Sequence, residues 1–216
     1  MSNHHRASRS VQDSPLALAL VLLSLILVLG AGCSRTATRS RDGEAAPAKP
    51  MKNGEKGRPS MGMQMTSSSF DAQGPIPRRF TCQGEDVSPP LSWSGVPEGT
   101  KSLALIVDDP DAPDPRAPKV TWVHWVLYNL PPSASGLSEG ADKSGLPEGT
   151  ERGRNSWNKP SYGGPCPPIG RHRYFFKLYA LDTRFEHLRQ PDKDELEAVM
   201  RGHILAQVEL MGTYQK

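Results

Sequence analysis

The stretch Ser102–Pro113, "SLALIVDDPDAP", decides how this chain can fold. Its continuous apolar run predicts a β-strand over residues 102–109 that is buried on both faces. Aspartates follow at once, and Pro110 ends the predicted strand. Because carboxylates are rarely buried without a partner, this stretch is either a solvated loop tip or one wall of a site.

Further strands follow from aromatic and β-branched runs that are bounded by turn residues. The long ones are predicted at residues 121–132, "TWVHWVLYNLPP", 172–182, "HRYFFKLYALD", and 207–214, "QVELMGTY". Shorter strands are expected at 66–70, 76–82 and 91–93. Since no regular strand–helix alternation is present, the fold class is mostly β, with a few peripheral helices.

One helix has a clear start signal. Asp192 and Glu195 have the spacing of a capping box, and apolar residues follow at helical spacing on one face. That face contains Leu196, Val199, Met200 and His203. The range 131–170 is rich in Pro and Gly and predicts a long irregular segment, which is unusual in a compact domain unless it has a function.

The first 33 residues predict an export signal. Residues 16–29, "LALALVLLSLILVL", follow Arg6 and Arg9 and precede small residues. The run "VLGAGC", which ends at Cys33, resembles a bacterial lipoprotein signal, in which the cysteine is lipidated. This resemblance implies an exported protein that is anchored to a membrane of the bacterial cell envelope. An uncleaved membrane anchor is the alternative.

Residues 34–66 predict a flexible tether, because they contain no aromatic residue and no aliphatic residue larger than Met. The formal charge is +5 over residues 1–66 and −2 over residues 67–216. The basic character therefore belongs to the amino-terminal arm, and the folded part lacks the basic and aromatic stripe of a nucleic-acid-binding protein. One domain is expected over residues 67–216.

Two histidines lie in apolar strands. By period-two alternation, His124 shares a strand face with Trp122 and Val126, and His172 shares one with Tyr174 and Phe176. A buried imidazole needs partners for its ring nitrogens. Each histidine is therefore either hydrogen-bonded to backbone in a structural role or part of a ligand site.

The loop "SYGGPCPPIGRH", residues 161–172, favours the ligand site. Its glycines leave room for a ligand, and successive backbone N–H groups can converge on an anion. If Asp109 and Asp111 border the same cavity as His124 and His172, they fix the imidazole tautomers and raise their pKa values. Charged histidines beside open N–H groups would favour a ligand that carries phosphate or carboxylate.

At these residues the sequence resembles the phosphatidylethanolamine-binding protein family, in its bacterial Raf-kinase-inhibitor-like branch. The resemblance spans roughly residues 67–216 and is carried by several motifs in order. They are "SPPLSW" (88–93), "DPDAP" (109–113), "TWVHWVLYNLP" (121–131), "YGGPCPP" (162–168), "HRYFFKLYALD" (172–182) and "GHILAQVELMGTY" (202–214).

The resemblance implies an antiparallel β-sandwich with small peripheral helices and a small pocket for phosphate-like headgroups. The implied ligand-binding residues are Asp109, Pro110, Asp111, Pro113, His124, Gly164, Pro165, Cys166, Pro167, Pro168, His172 and Tyr174. Eukaryotic members are associated with lipid headgroups and with restraint of kinases. The motifs do not identify the ligand of the bacterial branch.

Cys82 and Cys166 remain once Cys33 is assigned to the lipid. In an exported protein this even remainder indicates a disulfide, and two reduced thiols are the alternative.

The function expected from the sequence is a non-catalytic binding protein without cofactor or metal. Its expected partners are a phosphate-bearing or other anionic small molecule, a membrane through Cys33, and an unidentified protein; no nucleic acid is expected. The alternatives are a metal-dependent or Cys166-dependent hydrolase, and a protein-interaction module with a vestigial pocket.

Overall fold

The structure is a computed structural model that describes residues 62–216. The predicted export signal, the lipidation at Cys33 and most of the predicted tether lie outside the described residues. None of the helices within residues 62–216 has the length and apolar character that crossing a bilayer requires.

The described part of the chain contains short and long β-strands and a few short helices. The strands are β1 (Gln64–Thr66), β2 (Leu91–Ser94), β3 (Ser102–Ala112), β4 (Val120–Leu130), β5 (Gly136–Leu137), β6 (Glu151–Arg152), β7 (Arg171–Leu181) and β8 (Ile204–Gln215). The helices are a 3-10 turn at Arg78–Phe80, α1 (Ala141–Ser144) and α2 (Lys193–Met200).

The strands form two antiparallel sheets. The larger sheet has the order β6–β4–β3–β7–β8, and the smaller one has the order β1–β2–β5. The fold is therefore mostly β with small peripheral helices, as predicted.

Strand β3 is central to the larger sheet and is buried on both faces, which confirms the prediction from "LALIV". Leu103, Leu105 and Val107 pack into the core between the two sheets. Ala104 and Ile106 face the opposite way, into a second core that α2 covers with Leu196 and Met200.

The other long strands lie where they were predicted, within two or three residues at the ends. The short strand predicted at 91–93 is confirmed by β2, whereas β1 shares only Thr66 with the range predicted at 66–70. β1 includes residues from the range predicted as tether, because Met63 and Met65 are buried in the core. The strand predicted at 76–82 is wrong: the segment contains the 3-10 turn at Arg78–Phe80, and Pro77 lacks the N–H that strand pairing needs.

Helix α2 begins as predicted. The Asp192 carboxylate accepts a hydrogen bond from the Glu195 N–H, and the Glu195 side chain accepts one from the Asp192 N–H. This capping box satisfies N–H groups that the first turn leaves without helical partners. His203 lies beyond the helix, is exposed and contacts Asp182.

A disulfide joins Cys82 to Cys166, with Cα atoms 5.5 Å apart and a sequence separation of 84. It connects the segment after the 3-10 turn to the Gly/Pro-rich loop before β7. The same two segments are linked by hydrogen bonds from the Tyr162 hydroxyl to the Phe80 carbonyl and from the Cys82 N–H to the Pro165 carbonyl. The rim loop is therefore held by covalent and polar contacts together.

We expect the double variant Cys82→Ser/Cys166→Ser to lower the free energy of unfolding by about 4–5 kcal/mol, because opening a loop of this length restores entropy to the unfolded chain. Guanidinium denaturation measures the change. Wild-type protein with its disulfide reduced is the matched control and should unfold at the same midpoint as the variant. An unchanged midpoint in both would contradict a stabilising bridge.

Candidate binding site

A cavity of about 810 Å³ opens where the end of β3 meets the starts of β4 and β7. These ends meet because β3 runs antiparallel to both neighbours. Of the predicted site residues, the wall includes Asp109, Pro113, His124, Gly164, Cys166, Pro167, Pro168 and His172. The structure therefore brings the acidic stretch, both histidines and the Gly/Pro-rich loop to one place.

Asp109 and His172 form a buried pair at the base of the cavity. Nδ1 of His172 lies 2.7 Å from Oδ2 of Asp109, and Nε2 donates to the Ile169 carbonyl at 3.0 Å. The other oxygen of Asp109 accepts the Asp111 N–H at 2.8 Å. Burial raises the pKa of Asp109, and the hydrogen bond with His172 opposes this rise. Both ring nitrogens of His172 are thus used within the protein.

His124 lies beside this pair and is 2% exposed. Its Nδ1 is 2.6 Å from the Gly163 carbonyl oxygen. Because a carbonyl only accepts, Nδ1 carries the hydrogen, and Nε2 of the neutral ring is an acceptor. Burial lowers the pKa of His124 from 6.5 to about 4, so the ring is neutral near pH 7.

The expectation that neighbouring aspartates raise the pKa of the histidines is therefore wrong for His124. Asp109 is already paired with His172, and removal of the His124 ring from water dominates over nearby charges.

A β-bulge sets the direction of His124. Val107 pairs with Trp125, whereas the next residue of β3, Asp108, pairs with Val123, so His124 is the additional residue on β4. As predicted, His124 lines the cavity together with Trp122. The predicted shared face with Val126 is wrong, because the bulge breaks the alternation and Val126 packs into the core under α2.

His172 follows simple alternation, since Tyr174 and Phe176 lie in the core between the sheets on the same side of β7. The Tyr174 ring stands behind the cavity wall and contacts both imidazoles, with ring centroids 5.2 Å from His124 and 6.4 Å from His172. Tyr174 therefore packs behind the two histidines and is not itself part of the cavity wall.

Asp111 differs from its prediction as a wall residue. Its carboxylate is held by Arg173 through both oxygens, at 2.9 Å from Nε and 2.7 Å from Nη2. The Arg173 side chain lowers the pKa of Asp111, which remains ionised. Pro110 and Pro165 also lie outside the wall.

The predicted set of open backbone N–H groups is not found at Gly163 and Gly164. The Gly163 N–H donates to the His124 carbonyl, and the Gly164 N–H donates to Asp86 Oδ1 at 2.6 Å. A Cβ at Gly164 would lie 2.4 Å from the Phe80 carbonyl oxygen, so glycine is required for close packing of the loop. These two N–H groups therefore hold the loop against its neighbours and do not point free into the cavity.

Three lysines in the wall, Lys119, Lys143 and Lys159, were not predicted. All three are exposed, and none has a salt-bridge partner among residues 62–216. Lys119 and Lys159 lie in irregular segments and Lys143 lies in the four-residue helix α1, so no extended periodic pattern marks any of them as facing a cavity. The carboxylates of the wall, by contrast, are engaged: Asp142, for example, pairs with Arg152.

Two tryptophans complete the wall. Trp157 packs edge-on against Trp122 and His124, with ring centroids at 5.4 and 5.3 Å. A Cβ at Gly163 would lie 2.6 Å from the Trp157 ring, so this ring rests on the glycine backbone. Strand alternation predicted that Trp122 lies on the same face as His124. Trp157 was not predicted, and the only signal for it in the sequence is a weak one, an aromatic residue within a polar loop.

Two features bear on catalysis. Cys166 is bonded to Cys82 and therefore carries no thiol in this structure. Within residues 62–216, no three or more His, Cys, Asp or Glu side chains are grouped so that they could hold a metal ion.

Comparison with known proteins places this chain in a family. Residues 66–215 match the sequence model of the family described as phosphatidylethanolamine-binding protein. A UPF0098 protein of Methanothermobacter thermautotrophicus is 48% identical over 155 residues, which cover 71% of this chain and 99% of the relative.

Two solved structures are similar as well. A phosphatidylethanolamine-binding protein homologue of Chlamydia trachomatis has a TM-score of 0.65 and 45% identity, with 72% of this chain and 98% of that one covered. YbcL of Escherichia coli, described as a new member of the mammalian phosphatidylethanolamine-binding protein family, has a TM-score of 0.65 and 33% identity, with coverage of 71% of this chain and 98% of that one. The chain belongs to the phosphatidylethanolamine-binding protein family.

Proposed function

We propose that this domain is a non-catalytic binding protein whose cavity takes a small phosphate-bearing ligand, either a free phosphomonoester or the headgroup of a phospholipid. The observation that carries the proposal is the charge arrangement of the wall. Lys119, Lys143 and Lys159 surround the cavity without salt-bridge partners among the described residues, while the base contains paired or neutral groups.

The charge arrangement favours an anion for a simple reason. The carboxylates of Asp86, Asp109 and Asp142 each have a donor or a positive partner within the protein. Lys143 donates to the Glu85 and Asp86 carbonyl oxygens at 3.5 and 3.4 Å, which does not neutralise its charge. The lysine charges at the mouth therefore remain to attract a ligand, and attraction at an exposed rim acts over roughly 8–10 Å at physiological ionic strength.

The size and lining of the cavity support the same proposal. Ligand pockets typically span about 300–1,000 Å³ and combine apolar walls with a few polar groups. Here Trp122, Trp157 and the loop prolines supply the apolar wall. The family name refers to a phospholipid with a phosphate-bearing headgroup, which agrees with this ligand class.

The remaining expectations stay predictions. They are anchoring through lipidated Cys33 in the bacterial envelope, and capture of a protein partner in the manner of an inhibitor. A Cys166 nucleophile would require reduction of the disulfide, which weighs against that alternative within our proposal.

The double variant Lys119→Gln/Lys159→Gln should bind glycerol 3-phosphate about tenfold more weakly than wild type, since two rim charges contribute up to about 1 kcal/mol each. Calorimetric titration at low and high salt measures the loss, which should shrink as salt screens the rim. Lys101→Gln is the control, because Lys101 precedes β3 and so lies at the far end of that strand. Failure of the wild type to bind phosphate or glycerol 3-phosphate at millimolar concentration would contradict the proposal.

The neutral state of His124 predicts acid sensitivity. As pH falls from 6.5 to 4, His124 takes up a proton in the unfolded chain but stays neutral in the folded protein, so the free energy of unfolding decreases. The lowered pKa of His124 corresponds to a loss of about 3 kcal/mol in the free energy of unfolding over this range. The free energy of unfolding of His124→Phe should therefore fall less than that of wild type over this pH range, and the difference should equal this loss. Urea denaturation at several pH values measures both proteins.

His187→Gln, at an exposed position, should retain the wild-type acid slope. The same slope in His124→Phe and in wild type would show that His124 is not the buried group that resists protonation.

A further inference from the structure

Two buried polar atoms in this region have no hydrogen-bond partner among residues 62–216. They are Nε2 of His124 and the hydroxyl of Tyr174, and of these two residues only His124 lines the cavity. A buried polar atom without a partner destabilises the folded protein. Nδ1 of His124 is committed to the Gly163 carbonyl, so Nε2 presents a lone pair.

The other polar groups of the cavity base already have partners within the protein. Both oxygens of Asp109 and both nitrogens of His172 are used. The N–H groups of Gly163 and Gly164 are bonded as well. Nε2 of His124 is therefore the acceptor that remains for a hydrogen-bond donor, while the lysine rim is complementary to negative charge.

We propose, on the basis of the proposed function, that the cavity selects a protonated phosphate monoanion, whose P–O–H group donates to Nε2 of His124. Such a group carries both a negative charge for the lysines and a hydrogen for the base. A fully ionised anion has no hydrogen for Nε2, which would then face a further acceptor. A site that forms a hydrogen bond with one ligand group binds analogues without that group much more weakly.

Trp157 is the exposed neighbour of the His124 ring. The His124 ring is packed between Tyr174, which is fully buried, and Trp157, which is 41% exposed. Because His124 is 2% exposed, a ligand reaches Nε2 when the more exposed neighbour shifts. Ligand binding should therefore change the surroundings of the Trp157 indole.

Several other titratable or charged groups face His124 from the packed elements and remain in every variant used below. They are Asp109 on β3, His172 and Tyr174 on β7, Tyr162 and Lys159 on the loop before β7, and Lys119 before β4.

The first test compares phosphate with sulfate in calorimetric titrations of the wild-type protein at pH 6. Sulfate has the same shape and more negative charge, so the lysines alone would favour it. We expect phosphate to bind at least tenfold more tightly, because sulfate has no hydrogen to donate. The affinity for glycerol 3-phosphate should fall by tens of fold between pH 6 and pH 8, since a phosphomonoester loses its second proton near pH 6.

A third ligand separates the lipid headgroup from the free phosphomonoester. Glycerophosphoethanolamine is a diester without a P–O–H group, and it should bind no better than sulfate. Tighter binding of this diester than of glycerol 3-phosphate at pH 6 would overturn the inference, because the ammonium group would then be the donor.

Two variants locate the acceptor. His124→Phe keeps the aromatic contacts but removes Nε2 together with the Nδ1 bond to Gly163. Its preference for phosphate over sulfate should disappear while its affinity for sulfate is retained, which shows that the loop stays in place. His187→Gln, at an exposed position outside the cavity wall, should retain the preference. A preference for phosphate that persists in His124→Phe would overturn the assignment.

Phosphate should also change the tryptophan emission of the wild type, and Trp157→Phe should lose that change. Binding without any change in wild-type emission would contradict access past Trp157.

The outcomes distinguish this inference from the proposed function. Equal affinity for phosphate and sulfate in the wild type would leave an anion-binding site but remove the requirement for a donor. Binding of neither anion would overturn both.

Discussion

The hydrogen bond from Nδ1 of His124 to the Gly163 carbonyl is the contact on which the rest of the site depends. It ties β4 to the Gly/Pro-rich loop, and the Gly163 N–H returns a bond to the His124 carbonyl. The same contact fixes the hydrogen on Nδ1, so Nε2 becomes an acceptor. Loop position and site chemistry therefore follow from one interaction.

Around this contact the cavity separates two kinds of polar group. Exposed lysines form the mouth, where water screens them and a ligand meets them first. Buried groups form the base, where Asp109 is paired with His172 and His124 is neutral. Because polar contacts are stronger away from water, the base provides selectivity and the mouth provides attraction.

The sequence was sufficient to predict the large sheet and the meeting of Asp109, His124 and His172, because buried strands have strong patterns and the resemblance orders the motifs. The sequence was not sufficient where the orientation or the hydrogen-bond partner of a residue depends on residues far away in the chain. The bulge at His124 changes the face on which Val126 lies, Arg173 engages Asp111, and Asp86 uses the Gly164 N–H. Lys159 and Trp157 lie in irregular segments, where position depends on tertiary packing.

The most direct test of this account is the state of the His124 ring, measured by ¹⁵N NMR of the imidazole nitrogens between pH 5.5 and 8. We predict a neutral ring with its hydrogen on Nδ1 throughout this range, and the signals are assigned by their loss in His124→Phe. A ring that becomes protonated above pH 5.5, or one that carries its hydrogen on Nε2, would contradict the central claim that the cavity base accepts hydrogen bonds.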